Sequence, residues 1–134
     1  MTAAVHQPQY LPWLGYFDKM DKADVFCYLD NVQFKKNEWQ NRNRIKTSKG
    51  WQWITMPVCY RFPQKINEVE INNNVKWQRK HLQALITNYS KSPFFEKFLP
   101  FLIRYFQMIL NLFPVLPFTL TNISAESLGL IPGQ

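Results

Sequence analysis

Apolar and polar positions change period several times along this chain, and each change marks an element. Ala3 to His6 is short and apolar enough for a first strand. From Pro12 to Lys22, Trp13, Phe17 and Met20 recur at helical spacing while Asp18, Lys19, Asp21 and Lys22 lie mostly off that stripe, so a helix is expected there. Pro12 suits its first turn, where a missing N–H costs nothing. Val25-Phe26-Cys27-Tyr28-Leu29 is a continuous β-prone run ending at Asp30, the pattern of a strand covered on both faces.

Strand, helix and strand make a βαβ unit, which crosses over right-handedly and sets its strands parallel. His6 and Asp30 then fall at the same, carboxyl end of the sheet. The helix amino terminus around Pro12 to Leu14 opens toward that end, where its unpaired N–H groups favour an anion. Further on, Trp51 to Val58 reads as a strand with Pro57 near its end, and Ile66 to Ile71 alternates like a half-exposed strand, Glu68 and Glu70 against Val69 and Ile71. Val75, Leu82, Leu85, Ile86 and Tyr89 fit a helix stripe, and Pro93 opens another helix whose aromatic residues are most simply core. Thr121 or Asn122 is placed to cap a last short helix ending at Gly129. The pattern is α/β, opened by a βαβ unit and closed by a helical C-terminal half.

Composition fits one globular domain: 134 residues, 46% hydrophobic and 19% charged. The formal net charge is +7, and Lys35 to Lys49 carries six Lys or Arg against Glu38 alone, which makes that segment +5. A basic segment of this kind attracts phosphate, sugar acids, nucleic acid or an anionic membrane surface, or is simply a solvated loop. Cys27 and Cys59 lie far apart in apolar stretches, so a reduced, buried pair is expected. Two histidines cannot supply the four ligands of a structural zinc site, and no metal is expected. The amino terminus lacks the basic and apolar regions of a secretory signal, which makes the cytoplasm the default compartment. The uncharged stretch between Arg104 and Glu126 is broken by Gln107, Asn111, Pro114 and Pro117, so a buried helix and a proline-bounded connection are expected rather than a membrane span. A glycine-rich phosphate loop and a nucleophile elbow are absent, and four glycines exclude a dinucleotide fingerprint.

Candidate chemistry gathers at the end of the βαβ unit. His6 can donate, accept or carry charge near neutral pH, and Asp30 can orient it, bind a ribose or sugar hydroxyl, hold a metal or end the strand as a turn residue. Gln7, Gln9, Tyr10, Asn31 and Gln33 supply amides and a phenol of the kind that read sugar hydroxyls or a nucleobase. Trp13 can stack on a ring or pack with Phe17. In the run Gln40-Asn41-Arg42-Asn43-Arg44, a strand would put Arg42 and Arg44 on one face and Asn41 and Asn43 on the other, the arginines presenting forked donors to phosphate or carboxylate. His81, near Trp77, is expected to pack or to support other groups.

The opening His6-Gln7-Pro8-Gln9-Tyr10-Leu11-Pro12-Trp13, with Leu29-Asp30-Asn31-Val32-Gln33-Phe34, Trp39 to Lys46, Trp51 to Val58, Trp77, Lys80-His81-Leu82 and Pro93-Phe94-Phe95, resembles the WbqC-like protein family over nearly the whole chain. That family is bacterial and is often encoded among surface-polysaccharide and O-antigen genes. Its members are usually longer, so residues 1–134 are expected to form a single domain lacking the family's C-terminal part. An uncovered apolar edge, and pairing into a homo-oligomer, would follow. The opening is also weakly similar to the nucleotidyltransferase-like α/β proteins, which implies a three-layer, Rossmann-like fold, although the His-x-Gly-His motif of that group is missing. The resemblance implies a transferase-like protein binding a nucleotide-linked sugar or an acyl donor, with His6 and Asp30 catalytic, Arg42 and Arg44 neutralising phosphate, and Mg²⁺ admitted if the ligand carries phosphate. A basic nucleic-acid-binding module, with Trp39, Trp51 and Trp53 stacking on bases, and a non-catalytic partner protein stay open as alternatives.

Overall fold

The computed structural model describes residues 1–112, with side chains through residue 108. The helix expected between Thr121 and Gly129, and the proline-bounded connection before it, lie outside the described residues.

The chain is mixed α/β, its strands pairing into small two-stranded sheets. β1 (Ala3–His6) and β2 (Val25–Tyr28) run parallel with Ala3 opposite Val25 and His6 opposite Tyr28, joined by helix α1 (Leu14–Asp21). The expected βαβ unit is therefore present. Its helix starts two residues late, because Leu11 adopts a left-handed φ of 47° and Trp13, the N-cap, is extended. A non-glycine residue pays for such a backbone, and one before proline doubly so.

β2 is not covered on both faces. Along β1 and β2 burial alternates, and Val5 and Val25 are about half exposed at 50% and 51%. One face packs on α1, where the Tyr16 ring meets His6 at 4.7 Å and Phe26 at 5.6 Å. An unbroken apolar run shows that a strand can be buried twice, but it does not supply the second layer. Cys27, on the open face, and Cys59 are free thiols as expected, yet exposed rather than buried.

β3 (Arg42–Thr47) and β4 (Gly50–Thr55) form an antiparallel hairpin, Arg44 opposite Trp53 and Lys46 opposite Trp51. Gly50 turns the chain at φ 124°, a conformation that side-chain-bearing residues avoid. The expected strand from Trp51 to Val58 is split after Thr55, and Val58–Cys59 (β5) pairs instead with Glu70–Ile71 (β6). Ile66 to Ile71 is accordingly not one half-exposed strand. Ile66–Glu68 is a 3-10 turn, and Ile66, Val69 and Ile71 are all buried, a spacing that a period of two does not describe.

Helices α2 (Trp77–Tyr89) and α3 (Phe95–Leu112) pack on each other and close the core. That core joins Ile45 and Ile54 from the hairpin, Phe34, Met56 and Ile71 from the loops and β6, and Trp77, Tyr105 and Phe106 from the helices. Tyr10 reaches into the same core from the segment between β1 and α1. Among the described residues no helix is long and apolar enough to cross a membrane.

Candidate ligand-binding site

Because residues alternate across the hairpin, Asn43 and Ile45 point inward while Arg42, Arg44, Trp51 and Trp53 share the outer face. The expected separation of the two arginines from Asn43 is thus realised. The Arg42 guanidinium lies 4.0 Å from the centre of the Trp53 ring, with its Nε buried and without a hydrogen-bond partner. Arg44 sits among three indoles, 5.0 Å from Trp51, 5.5 Å from Trp53 and 5.7 Å from Trp39. The rings of Trp39 and Trp53 are 5.8 Å apart and those of Trp51 and Trp53 5.6 Å. Each exposed cation–π contact stabilises by about 0.5–1 kcal/mol. Among the described residues neither arginine is ion-paired, so both positive charges remain available to an anion.

Asn43 ties the segment between β1 and α1 to this hairpin. Its Nδ2 donates to the carbonyls of Tyr10 at 3.2 Å and Leu11 at 2.6 Å, and its Oδ1 accepts from the Arg44 N–H at 2.7 Å. One side chain thereby caps the free edge of β3 and holds Leu11 in its strained conformation. The Lys46 N–H on the same edge donates to the Tyr89 hydroxyl at 2.9 Å. Trp13, brought alongside by this tether, is 68% exposed. Its indole folds back over Gly15, where any Cβ would fall inside the ring. Gln9, Trp13, Trp39, Asn43 and Arg44 enclose a cavity of about 490 Å³. A second cavity of about 500 Å³ shares Trp13, Asn43 and Arg44 and opens toward α2 and α3.

Several other candidates have structural duties. The Tyr10 side chain is buried, its hydroxyl 2.7 Å from Nδ1 of His81, and burial, with Tyr105 nearby, pushes its pKa well up. His81 is buried against Trp77 and Phe106, and desolvation pushes its pKa down to about 4, only partly offset by a hydrogen bond to the Thr55 backbone. Gln7 Oε1 accepts from Gln40 Nε2 at 2.8 Å, and Asn41 is buried, donating to the Met56 carbonyl at 3.1 Å and accepting from the Asn37 N–H. Gln33 Nε2 donates to the carbonyls of Gln64 and Phe34 and joins the turns. Asp30 takes Asn67 on its main-chain carbonyl at 3.0 Å and on Oδ1 at 3.4 Å. His6 donates from Nδ1 to the Gln7 carbonyl at 3.0 Å, which leaves Nε2 as a free acceptor. Neither His6 nor Asp30 lines either of the two cavities. Among the described residues no three His, Cys, Asp or Glu side chains gather to hold a metal ion.

The sequence reading left the three indoles around Arg44 to a nucleic-acid alternative and gave the faces of α2 and α3 to the core. The signal was present in the two-residue connection Ser48-Lys49 before Gly50, which fixes a register that sets Trp53 opposite Arg44 and Trp51 opposite Lys46.

The sequence model of the WbqC-like protein family matches residues 7–131. Uncharacterized protein Rv1507c of Mycobacterium tuberculosis is 47% identical over 96 residues, covering 70% of this chain and 41% of that protein. The chain thus spans less than half the length of that relative. No solved structure matches the chain.

Proposed function

Since this chain belongs to the WbqC-like protein family, we propose that it is a transferase-like protein of bacterial surface-polysaccharide biosynthesis that binds a phosphate-bearing donor at Arg44. The observation that carries this reading is an unpaired guanidinium held among three indoles in the wall of two adjoining cavities. Aromatic planes fix the arginine's orientation without neutralising it, so its forked donors stay directed at phosphate or carboxylate. Trp13 and Trp39 offer faces on which a sugar or base stacks, and the Gln9 amide reads its polar edge. His6 lines neither cavity, but its free Nε2 suits it to accept the proton of a hydroxyl or amine acceptor approaching from the end of the βαβ unit. The βαβ opening supports a larger Rossmann-like, three-layer, nucleotidyltransferase-like architecture for the complete fold, acting in the cytoplasm. Any Mg²⁺ would have to arrive with the donor phosphate and offset its charge, since among the described residues no His, Cys, Asp or Glu cluster is gathered to hold the ion.

A thermal-shift and calorimetric screen of nucleotides and nucleotide-sugars against the wild type, His6→Ala and Arg44→Gln tests this reading. A ligand that stabilises the wild type, keeps its affinity in His6→Ala and loses at least about tenfold in Arg44→Gln supports it. A ligand indifferent to Arg44 refutes it.

A second reading rests on the exposure of Trp39, Trp51 and Trp53 beside the +5 segment. Single-stranded nucleic acid would stack on these rings while Lys35 to Lys49 contact phosphates. Binding of short single-stranded DNA that 0.5 M salt abolishes, with no nucleotide or nucleotide-sugar stabilising the chain, would favour it over the enzyme.

A further inference from the structure

The two cavities that meet at Trp13, Asn43 and Arg44 have walls of different kinds. On one side, Gln9 and Trp39 complete the wall. On the other, the cavity runs from Leu11 past β3 to the helix pair and is walled by Ile45, Leu85, Tyr89, Phe98 and Leu102, with the Ser92 hydroxyl at its rim the one polar addition from the helix side among the described residues. The Tyr89 hydroxyl accepts from the Lys46 N–H. Among the described residues, Arg44 is the one charged residue in either wall.

Resting on the reading of Arg44 as the anion site, we propose that the ligand is an acyl-bearing anion. Its apolar chain lies in the cavity between Leu11 and the helices, and its phosphate-bearing head lies beside Arg44. A cavity of about 500 Å³ is in the range of small-molecule sites. Sugar hydroxyls placed against Leu85, Phe98 and Leu102 would surrender their water without gaining partners, whereas methylenes gain from the same transfer. Of the two donor classes, nucleotide-linked sugar and acyl donor, the apolar wall selects the second. Asn43 sits at the junction with both of its amide groups already hydrogen-bonded, so it separates the chambers without competing for the head group.

Titration calorimetry of the full chain with inorganic phosphate and with n-butyl, n-hexyl and n-octyl phosphate, all below their micellar concentrations, tests the assignment. Affinity should rise about three- to fourfold per added methylene until the cavity is full. Arg44→Gln should weaken every member of the series by a similar factor, and Phe98→Asn should flatten the chain-length dependence while leaving inorganic phosphate unaffected. Phe98 is 39% exposed, so the substitution leaves the core intact, and the wild-type slope needs no variant. Phosphate binding that depends on Arg44 but is flat with chain length overturns this inference and leaves the anion site standing. Failure of every phosphate to bind overturns both. A slope that survives Phe98→Asn, or dimerisation that octyl phosphate reverses, puts the chain elsewhere or gives the cavity to a second copy, and either overturns the proposal.

Discussion

Acidification should loosen the site through His81. In the folded chain this imidazole accepts from the Tyr10 hydroxyl and is hydrogen-bonded to the Thr55 backbone, buried between Trp77 and Phe106. Charging it there means desolvating an imidazolium and losing the acceptor that holds Tyr10. Its pKa is therefore lowered from 6.5 to about 4. Between those values the unfolded chain binds a proton that the folded chain refuses, so stability falls as pH falls. The gap of about 2.5 pH units, at about 1.4 kcal/mol per unit, amounts to about 3 kcal/mol by pH 4. About 2 kcal/mol of it is lost between pH 7 and pH 5, before most carboxylates titrate. Urea unfolding at those two pH values should show this loss in the wild type. In His81→Gln it should disappear, because the amide can accept from Tyr10 and donate to Thr55 but does not titrate. Equal pH dependence in the two proteins would refute the reasoning, as would an NMR titration of the His81 ring with a midpoint near 6.5.

Other substitutions probe the tether and the platform. Asn43→Ala removes both bonds to the Tyr10 and Leu11 carbonyls and should cost about 2 kcal/mol in urea unfolding with an unchanged m value. Gly15→Ala should leave stability within about 1 kcal/mol, because α1 gains a better helix former while the exposed Trp13 indole is pushed off its seat. Its signature is a changed tryptophan fluorescence spectrum and a weakened ligand response. Trp53→Ala takes away the ring shared by Arg42 and Arg44 and should lower stability by about 1–2 kcal/mol, with a larger fractional loss of phosphate binding measured by calorimetry.

Local order in this chain was legible where a single period held. The βαβ unit followed from apolar runs flanking a helical stripe, and the common face of Arg42 and Arg44 followed from strand alternation. Burial was less legible, because it belongs to pairs of elements. Nothing in Val25 to Leu29 distinguishes a strand waiting for a second layer from one that has it. Amides at a strand end were read as ligand contacts, yet Gln7, Gln33 and Asn41 spend their groups on Gln40, on backbone carbonyls and on the Asn37 N–H. The Gln40 partner of Gln7 and the Gln64 partner of Gln33 lie 33 and 31 residues away, which no local window reveals. Trp51 and Trp53 were ambiguous for the opposite reason, since large aromatic residues are usually interior and here flank arginines at the surface.

The bond between Tyr10 and His81 spans 71 positions of sequence, and this separation orders the events of folding. The hairpin closes over a two-residue connection and can form within microseconds of collapse. The segment that carries Gln9, Leu11 and Trp13 can be tethered early by Asn43 of the hairpin, but the Tyr10 side chain finds its acceptor only when α2 has been made and docked. A nascent chain emerging from the ribosome would display its tryptophans and arginines well before it could discriminate a ligand. For a ligand bound as proposed, selectivity would mature late, with the arrival of the helix that contributes His81.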